Sequence, residues 1–235
     1  MPIIRPQFIN GEIYHVVTRG VERRPIFTSR DDYCRGVFSL FEFNDEKPVL
    51  IKERRKDRLQ AKKNGREQFS ADRKLLVEIL AFCLMPNHIH LLLRQIKENG
   101  ISDFMRKFGA GYATYFNKKY KRTGHLFQGR FRAVYVGSEE QLKNTFVYIH
   151  ANPAELIEPG WKEEGIENPE EVIEFLENYK WSSYADYIGR KNFPSLTNRD
   201  FLMKIMGGED SCRDYVDFWI RYKADIKTLG KIALE

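Results

Sequence analysis

Two histidines one residue apart, His88 and His90, open the apolar run HIHLLLRQ directly after the turn pair Pro86-Asn87. Side chains alternate between faces along a strand, so both imidazoles point one way and Ile89 the other. Two imidazoles at that spacing can share one metal ion. Strand histidines are ordinarily packed, hydrogen-bonded residues, yet two on one face beside otherwise wholly apolar strands call for a reason. The segment ahead of Pro153 supplies candidate partners. Leu142, Phe146 and Ile149 recur at helical spacing as a core stripe, while Gln141, Thr145, Tyr148 and Asn152 form a second stripe. Tyr148 and Asn152 stand one turn apart on it. Asn152 can add a carbonyl oxygen to a His-His-Asn metal set, and Tyr148 offers a phenol. A phenol with an ordinary pKa of about 10 is a poor nucleophile, so the metal has to make its target electrophilic.

The elements that must position these residues are legible from periodicity. IYHVVTRG (13–20) alternates as a strand, and Ser29 caps a helix with Tyr33, Val37, Leu40 and Phe41 at helical spacing. Residues 75–86 and 88–95 are dense apolar runs joined by the Pro86-Asn87 turn, a hairpin at the sheet centre. A helix over 101–124 with Ser102 as N-cap carries Phe104, Met105, Phe108, Tyr112 and Phe116 and ends in Lys118, Lys119, Lys121 and Arg122. A fourth strand over 126–137 and a helix capped by Ser138 and ended by Pro153 complete the order. This split β-α-β arrangement predicts an α+β, ferredoxin-like (RRM-like) sandwich, its antiparallel-rich sheet covered by helices on one face. Residues 44–74 read as an inserted basic arm, 1–190 as the main domain and 191–235 as a helical C-terminal extension.

The chain has 235 residues, 39 Lys+Arg against 33 Asp+Glu for a net charge of +6, and 42% hydrophobic residues, enough for a core. No run approaches the roughly 18 apolar residues of a membrane span, and the N-terminus lacks the pattern of a secretory signal, so a cytoplasmic protein without a membrane partner is expected. Cys34, Cys83 and Cys212 form no C-x-x-C pair and read as reduced residues. Residues 51–66 hold eight basic and two acidic residues, a local +6, whereas 155–177 hold nine Glu against one Lys. The basic run fits either a polyanion partner or a solvated helix face.

Taken together, MPNHIHLLLR, the upstream YHVVTRG and PIF, then GHLFQGRF, YIHANP and YKWSSYADY resemble the single-tyrosine HUH transposases, in particular the branch called REP-associated tyrosine transposases. The resemblance runs in order from about residue 12 to 189. It implies an HUH endonuclease with His88 and His90 as metal ligands, Asn152 as the third metal position and Tyr148 as nucleophile. It further implies Mg²⁺ or Mn²⁺, and cleavage of single-stranded DNA beside hairpins formed by palindromic repeats through a 5′-phosphotyrosine. A homodimer and nucleoid association are compatible with it. Asn144 and Asn152 flank Tyr148 one turn away, which disfavours a two-tyrosine mechanism. Arg19, Arg130 and Arg132, alternating on the fourth strand in the latter two cases, and Lys118, Lys119, Lys121 and Arg122 are the candidate DNA contacts. Two rivals remain: a ferredoxin-like nucleic-acid-binding module without catalysis, and a metal nuclease that uses water.

Overall fold

The computed structural model describes residues 6–64 and 73–232. Strands β1 (Ile13–Arg19), β2 (Val77–Met85), β3 (His88–Gln95) and β4 (Arg132–Val136) form one antiparallel sheet in the order β2-β3-β1-β4. The register sets Arg19 opposite His88, and Val17 opposite both His90 and Arg132. The fourth strand is shorter than the expected 126–137. Gly129 turns the chain with φ of 61°, and ahead of Arg132 only an isolated bridge, Gly20 to Phe127, reaches the sheet. Arg130 therefore lies outside the strand and does not alternate with Arg132 along it.

Helices α1 (Arg30–Glu42), α2 (Ile51–Lys63), α3 (Gly100–Lys119) and α4 (Glu139–Ala151) follow the predicted order, with α2 inside the basic arm. Ser29 caps α1 by accepting from Asp32 N in a reciprocal capping box, and Ser138 caps α4 by accepting from Gln141 N. Helix α3 starts from Asn99 rather than Ser102 and stops at Lys119. Part of the expected arm, 65–72, lies outside the described residues.

Helices α1 and α3 cover one sheet face, where Phe104, Phe108 and Tyr112 pack with Val16, Ile89, Leu91 and Leu93. Helix α4 covers the other, where Leu142, Phe146 and Ile149 pack with Ile13, Ala81, Cys83 and Leu92. The α+β antiparallel sheet is as expected, but helices on one face only is corrected: the sheet is sandwiched. The reason is visible in β2, apolar at nearly every position, and in the Leu91-Leu92-Leu93 run of β3, which present apolar side chains to both faces and so need cover on both sides. That cover is completed by the chain after Pro153, which adds α5 (Trp161–Glu164), α6 (Pro169–Asn178), α7 (Tyr184–Tyr187), α8 (Asp200–Met206) and α9 (Glu209–Ile232). Cys212, Val216 and Ile220 of α9 join the α4 layer. The YKWSSYADY segment borders β2, whose Leu84 N donates to Trp181 O at 2.8 Å while Ser183 N donates to Phe82 O at 3.0 Å. An edge strand is thereby shielded from pairing with other chains. No helix among the described residues is long and apolar enough to cross a membrane.

The start of α1 is tied to the end of α3 by one buried carboxylate. Asp32 accepts from Lys119 Nζ at 2.7 Å, Tyr120 Oη at 2.7 Å, Tyr115 Oη at 3.0 Å, and the backbone N–H groups of Thr28 and Ser29 at 3.0 Å each. Burial alone pushes the Asp32 carboxyl up, but the hydrogen bonds from Lys119, Tyr120 and Thr28 outweigh it and hold the group well below the usual carboxylate range. A depressed folded-state pKa contributes stability above the unfolded value near 3.9, and that stability drains away as pH falls toward the folded value. Asp32→Asn should cost about 2–3 kcal/mol at neutral pH. In melting curves recorded against pH, the wild-type advantage should shrink below about pH 4; an advantage independent of pH would show that the charge on Asp32 is not what stabilises the joint.

Candidate active site

Strands β1 and β3 and helix α4 bring one cluster together on the sheet face that α4 covers. The His88 and His90 rings lie 4.8 Å apart, and the ring of His15 on the neighbouring strand stacks on His90 at 5.1 Å. Tyr148 meets His90 and His15 edge-on at 5.5 and 5.8 Å. His15 Nε2 is 2.9 Å from His90 Nδ1, and His88 Nδ1 is 2.5 Å from Asn87 Oδ1. Burial draws the imidazolium pKa of His15 and of His88 down to about 4, helped at His88 by the charges of Arg19 and Lys162, and draws His90 well below its ordinary value. All three rings are therefore neutral at neutral pH, as metal ligands must be.

Helix α4 ends where Pro153 removes the next backbone donor, and Asn152 opens the following tight turn, Asn152–Leu156. Asn152 is buried, and its Nδ2 donates to Tyr148 O at 2.6 Å. Lys162, on α5, reaches across to this turn. Its Nζ donates to Asn152 Oδ1 at 2.9 Å and to Tyr148 Oη at 3.2 Å, and stands 4.6 Å from the centre of the Tyr148 ring. Lys223 Nζ donates to Lys162 O at 2.8 Å, which steadies α5 from behind. Tyr148 itself is 37% exposed, so its hydroxyl is open to a substrate. His150 turns away into the core, its Nε2 at 2.8 Å from Ser183 Oγ.

Whether these residues suit a metal is a question of donor chemistry. Asn87 Oδ1 accepts only, so His88 Nδ1 carries the proton and Nε2 keeps its lone pair. In the tautomer in which His90 Nδ1 donates to His15 Nε2, His90 Nε2 is free as well, an orienting contact of the kind that metal-binding histidines make. Among the described residues no group of three or more His, Cys, Asp and Glu side chains is placed to hold a metal ion; Asn152 offers an amide oxygen as a further donor. Asn152 Oδ1 has two lone pairs, one of them occupied by Lys162. Two neutral imidazoles and one amide oxygen are chemically fit for a divalent cation with open positions.

Of the candidate DNA contacts, Arg19 stands opposite His88 and Arg132 shares the cross-strand row of Val17 and His90, so both belong to the face of the cluster. The other five lie elsewhere. Arg130 lines a cleft with Thr18, Phe108 and Phe131 on the α3 side. Lys118, Lys119, Lys121 and Arg122 stand at the end of α3, which packs on the sheet face away from Tyr148. Two of these are engaged internally: Lys119 with Asp32, and Arg122 with Asn117 Oδ1 at 2.6 Å.

Sequence reasoning missed two members of the cluster. His15 is a lone polar residue in the apolar strand IYHVV, with the same parity as its neighbours on the site face. Lys162 is the single lysine among the nine glutamates of 155–177, and that solitary charge was its one signal.

Comparison with known proteins adds a family match. Residues 44–152 match the family model described as "Transposase IS200 like", a span that holds His88, His90, Tyr148 and Asn152 but neither His15 nor Lys162. No curated protein matches the chain. Among solved structures, one described as "Structure of the REP associates tyrosine transposase bound to a REP hairpin" is 14% identical with a TM-score of 0.48, over 81% of this chain and 87% of that one.

Proposed function

We propose that this chain, whose residues 44–152 match the IS200-like transposase model, is a divalent-metal-dependent endonuclease and strand transferase for single-stranded DNA carrying hairpin repeats. The observation that supports this reading is the meeting of the exposed Tyr148 ring with His90 and His15, with His88 beside His90 and with Lys162 joining Tyr148 Oη to the buried Asn152. In this reaction Tyr148 Oη attacks a phosphodiester beside the folded hairpin. The Oη–P bond forms as the P–O3′ bond breaks, and the proton that the phenol gives up is balanced by the one the departing oxygen takes, leaving a 5′-phosphotyrosine and a free 3′-hydroxyl. One phosphoester replaces another, so the reverse step rejoins DNA without ATP.

His88, His90 and Asn152 would hold a divalent cation such as Mg²⁺ or Mn²⁺, which would supply Lewis-acid polarisation of the phosphate. The chain's own residues do the positioning. His15 and Asn87 orient the two imidazoles, and Lys162 aims the phenol by its bond to Oη and its place over the ring. Arg19 and Arg132, on the same face, hold flanking phosphates.

A protein–DNA species that survives SDS tests the reading, since cleavage without one belongs to a water-using nuclease. His15 gives a second check. His15→Leu removes the bond to His90 while keeping an apolar strand residue, and should lower the cleavage rate about 10–100-fold with hairpin binding retained. An unchanged rate would make His15 a packing residue.

A further inference from the structure

The basic arm carries its charges on two opposed faces of α2, and the two faces do different things. Arg54 and Arg58, one turn apart, point inward to carboxylates that α1 and its end bury: Arg54 meets Asp45 at 2.5 Å and Glu42 at 3.7 Å, and Arg58 meets Glu42 at 2.5 Å. Asp45 and Glu42 are 0% and 1% exposed. Removing charges from water this far is costly unless they are paired, so these arginines are required where they are. They also fix the helix, which has only Ala61 as a buried residue of its own. Arg58 further lies over the Phe41 ring at 5.0 Å.

The other face is an exposed stripe. Lys52, Arg55, Lys56, Leu59 and Lys63 fall at i, i+3, i+4, i+7 and i+11, and all are exposed. They line an open groove along the helix. Arg55 lies over the Phe38 ring at 5.7 Å. Among the described residues no ion pair neutralises Lys52, Arg55, Lys56 or Lys63. From Lys52 to Lys63 the stripe runs about 16 Å along the helix axis, the rise of about five base pairs of a duplex.

We propose that this stripe is a binding rail for the phosphate backbone of duplex DNA. Resting on the function proposed above, the duplex is the stem of the folded hairpin next to which Tyr148 cuts. Charge complementarity points to a polyphosphate, and the composition of the face selects the duplex. Unpaired strands are held by aromatic side chains on which bases stack, and IKERRKDRLQAKK contains no aromatic residue. Lysines and an arginine whose one aromatic neighbour, Phe38, belongs to α1 read phosphates and no sequence. The anchored inner face holds these four charges as one fixed row, so the rail exists before DNA arrives.

The test is the salt dependence of binding, measured by fluorescence anisotropy on two DNAs: the hairpin with its flanking strand, and an unstructured strand of equal length. The variant is Lys52→Gln/Arg55→Gln/Lys56→Gln/Lys63→Gln, compared with Lys52→Arg/Lys56→Arg/Lys63→Arg, which keeps every charge. On the hairpin, the slope of log affinity against log salt should fall by about 3–4 in the glutamine variant. The wild-type advantage should correspondingly shrink by about a hundredfold between 50 and 200 mM salt. The arginine variant should keep the wild-type slope, and the unstructured strand should show no change. Circular dichroism should report the same fold throughout, because Arg54 and Arg58 are untouched. An unchanged hairpin slope overturns the rail, and so does an equal fall on both DNAs. A wild type that binds the hairpin with the full slope yet never forms an SDS-resistant adduct would sink the cleavage reading and leave the rail standing.

Discussion

Tyr148→Phe should abolish cleavage and covalent adduct formation while leaving folding and hairpin binding in place. The substitution deletes one oxygen. The ring keeps its edge-on contacts with His90 and His15 and its place beneath Lys162. Only the bond from Lys162 Nζ to Oη is lost, at a position 37% exposed, so stability should change by less than about 1 kcal/mol. If the phenol is the nucleophile, the rate should fall on the order of 10⁴-fold or more, as it does when a covalent nucleophile is removed. The measurement uses DNA labelled on the 3′ side of the cut. Wild type should yield a band that SDS does not dissociate, and the Phe variant none. Comparable cleavage by the variant would make water the nucleophile and assign Tyr148 to substrate orientation.

Loss of His88 or of divalent metal should give the second large effect. His88→Ala is the better probe than the same change at His90, because His90 is 4% exposed and pairs with His15, so its removal would disturb the core as well. Either His88→Ala or saturation with EDTA should slow cleavage by about 10³-fold, the equivalent of about 4 kcal/mol of phosphate polarisation. Added Mg²⁺ or Mn²⁺ should restore the chelated wild type and leave His88→Ala slow. Binding to the hairpin should persist in both cases. Undiminished cleavage by wild type in chelator would remove the metal from the reaction, and the two histidines would then stand as a packed pair that shapes the pocket.

How much of the site was legible follows from the distance over which each rule acts. His88 and His90 share a face because strands have a period of two, and Tyr148 stands a turn from Asn152 because helices have a period near 3.6. The caps at Ser29 and Ser138, the turn at Pro86-Asn87 and the helix stop at Pro153 are equally local. Each was readable from a few neighbouring residues. The error at 126–137 was also local in kind: an aromatic and basic stretch has strand composition, but a left-handed turn at Gly129 takes it out of the sheet.

Local periodicity and capping are enough for the order of strands and helices, the common face of the two histidines, and the paired spacing of Tyr148 and Asn152. Whatever depends on which elements become neighbours is settled by packing instead. His15 reaches His90 across 75 residues of chain, and Lys162 enters the cluster from α5, beyond a helix break. Packing also decides which cations are available, since Lys119, Arg54 and Arg58 are committed to buried carboxylates that only the packed core creates. Periodicity aims a side chain relative to its own element. The register and docking of remote elements are set instead by burial of apolar surface over the whole core, here on both faces of β2 and β3, and no short stretch of sequence contains that sum.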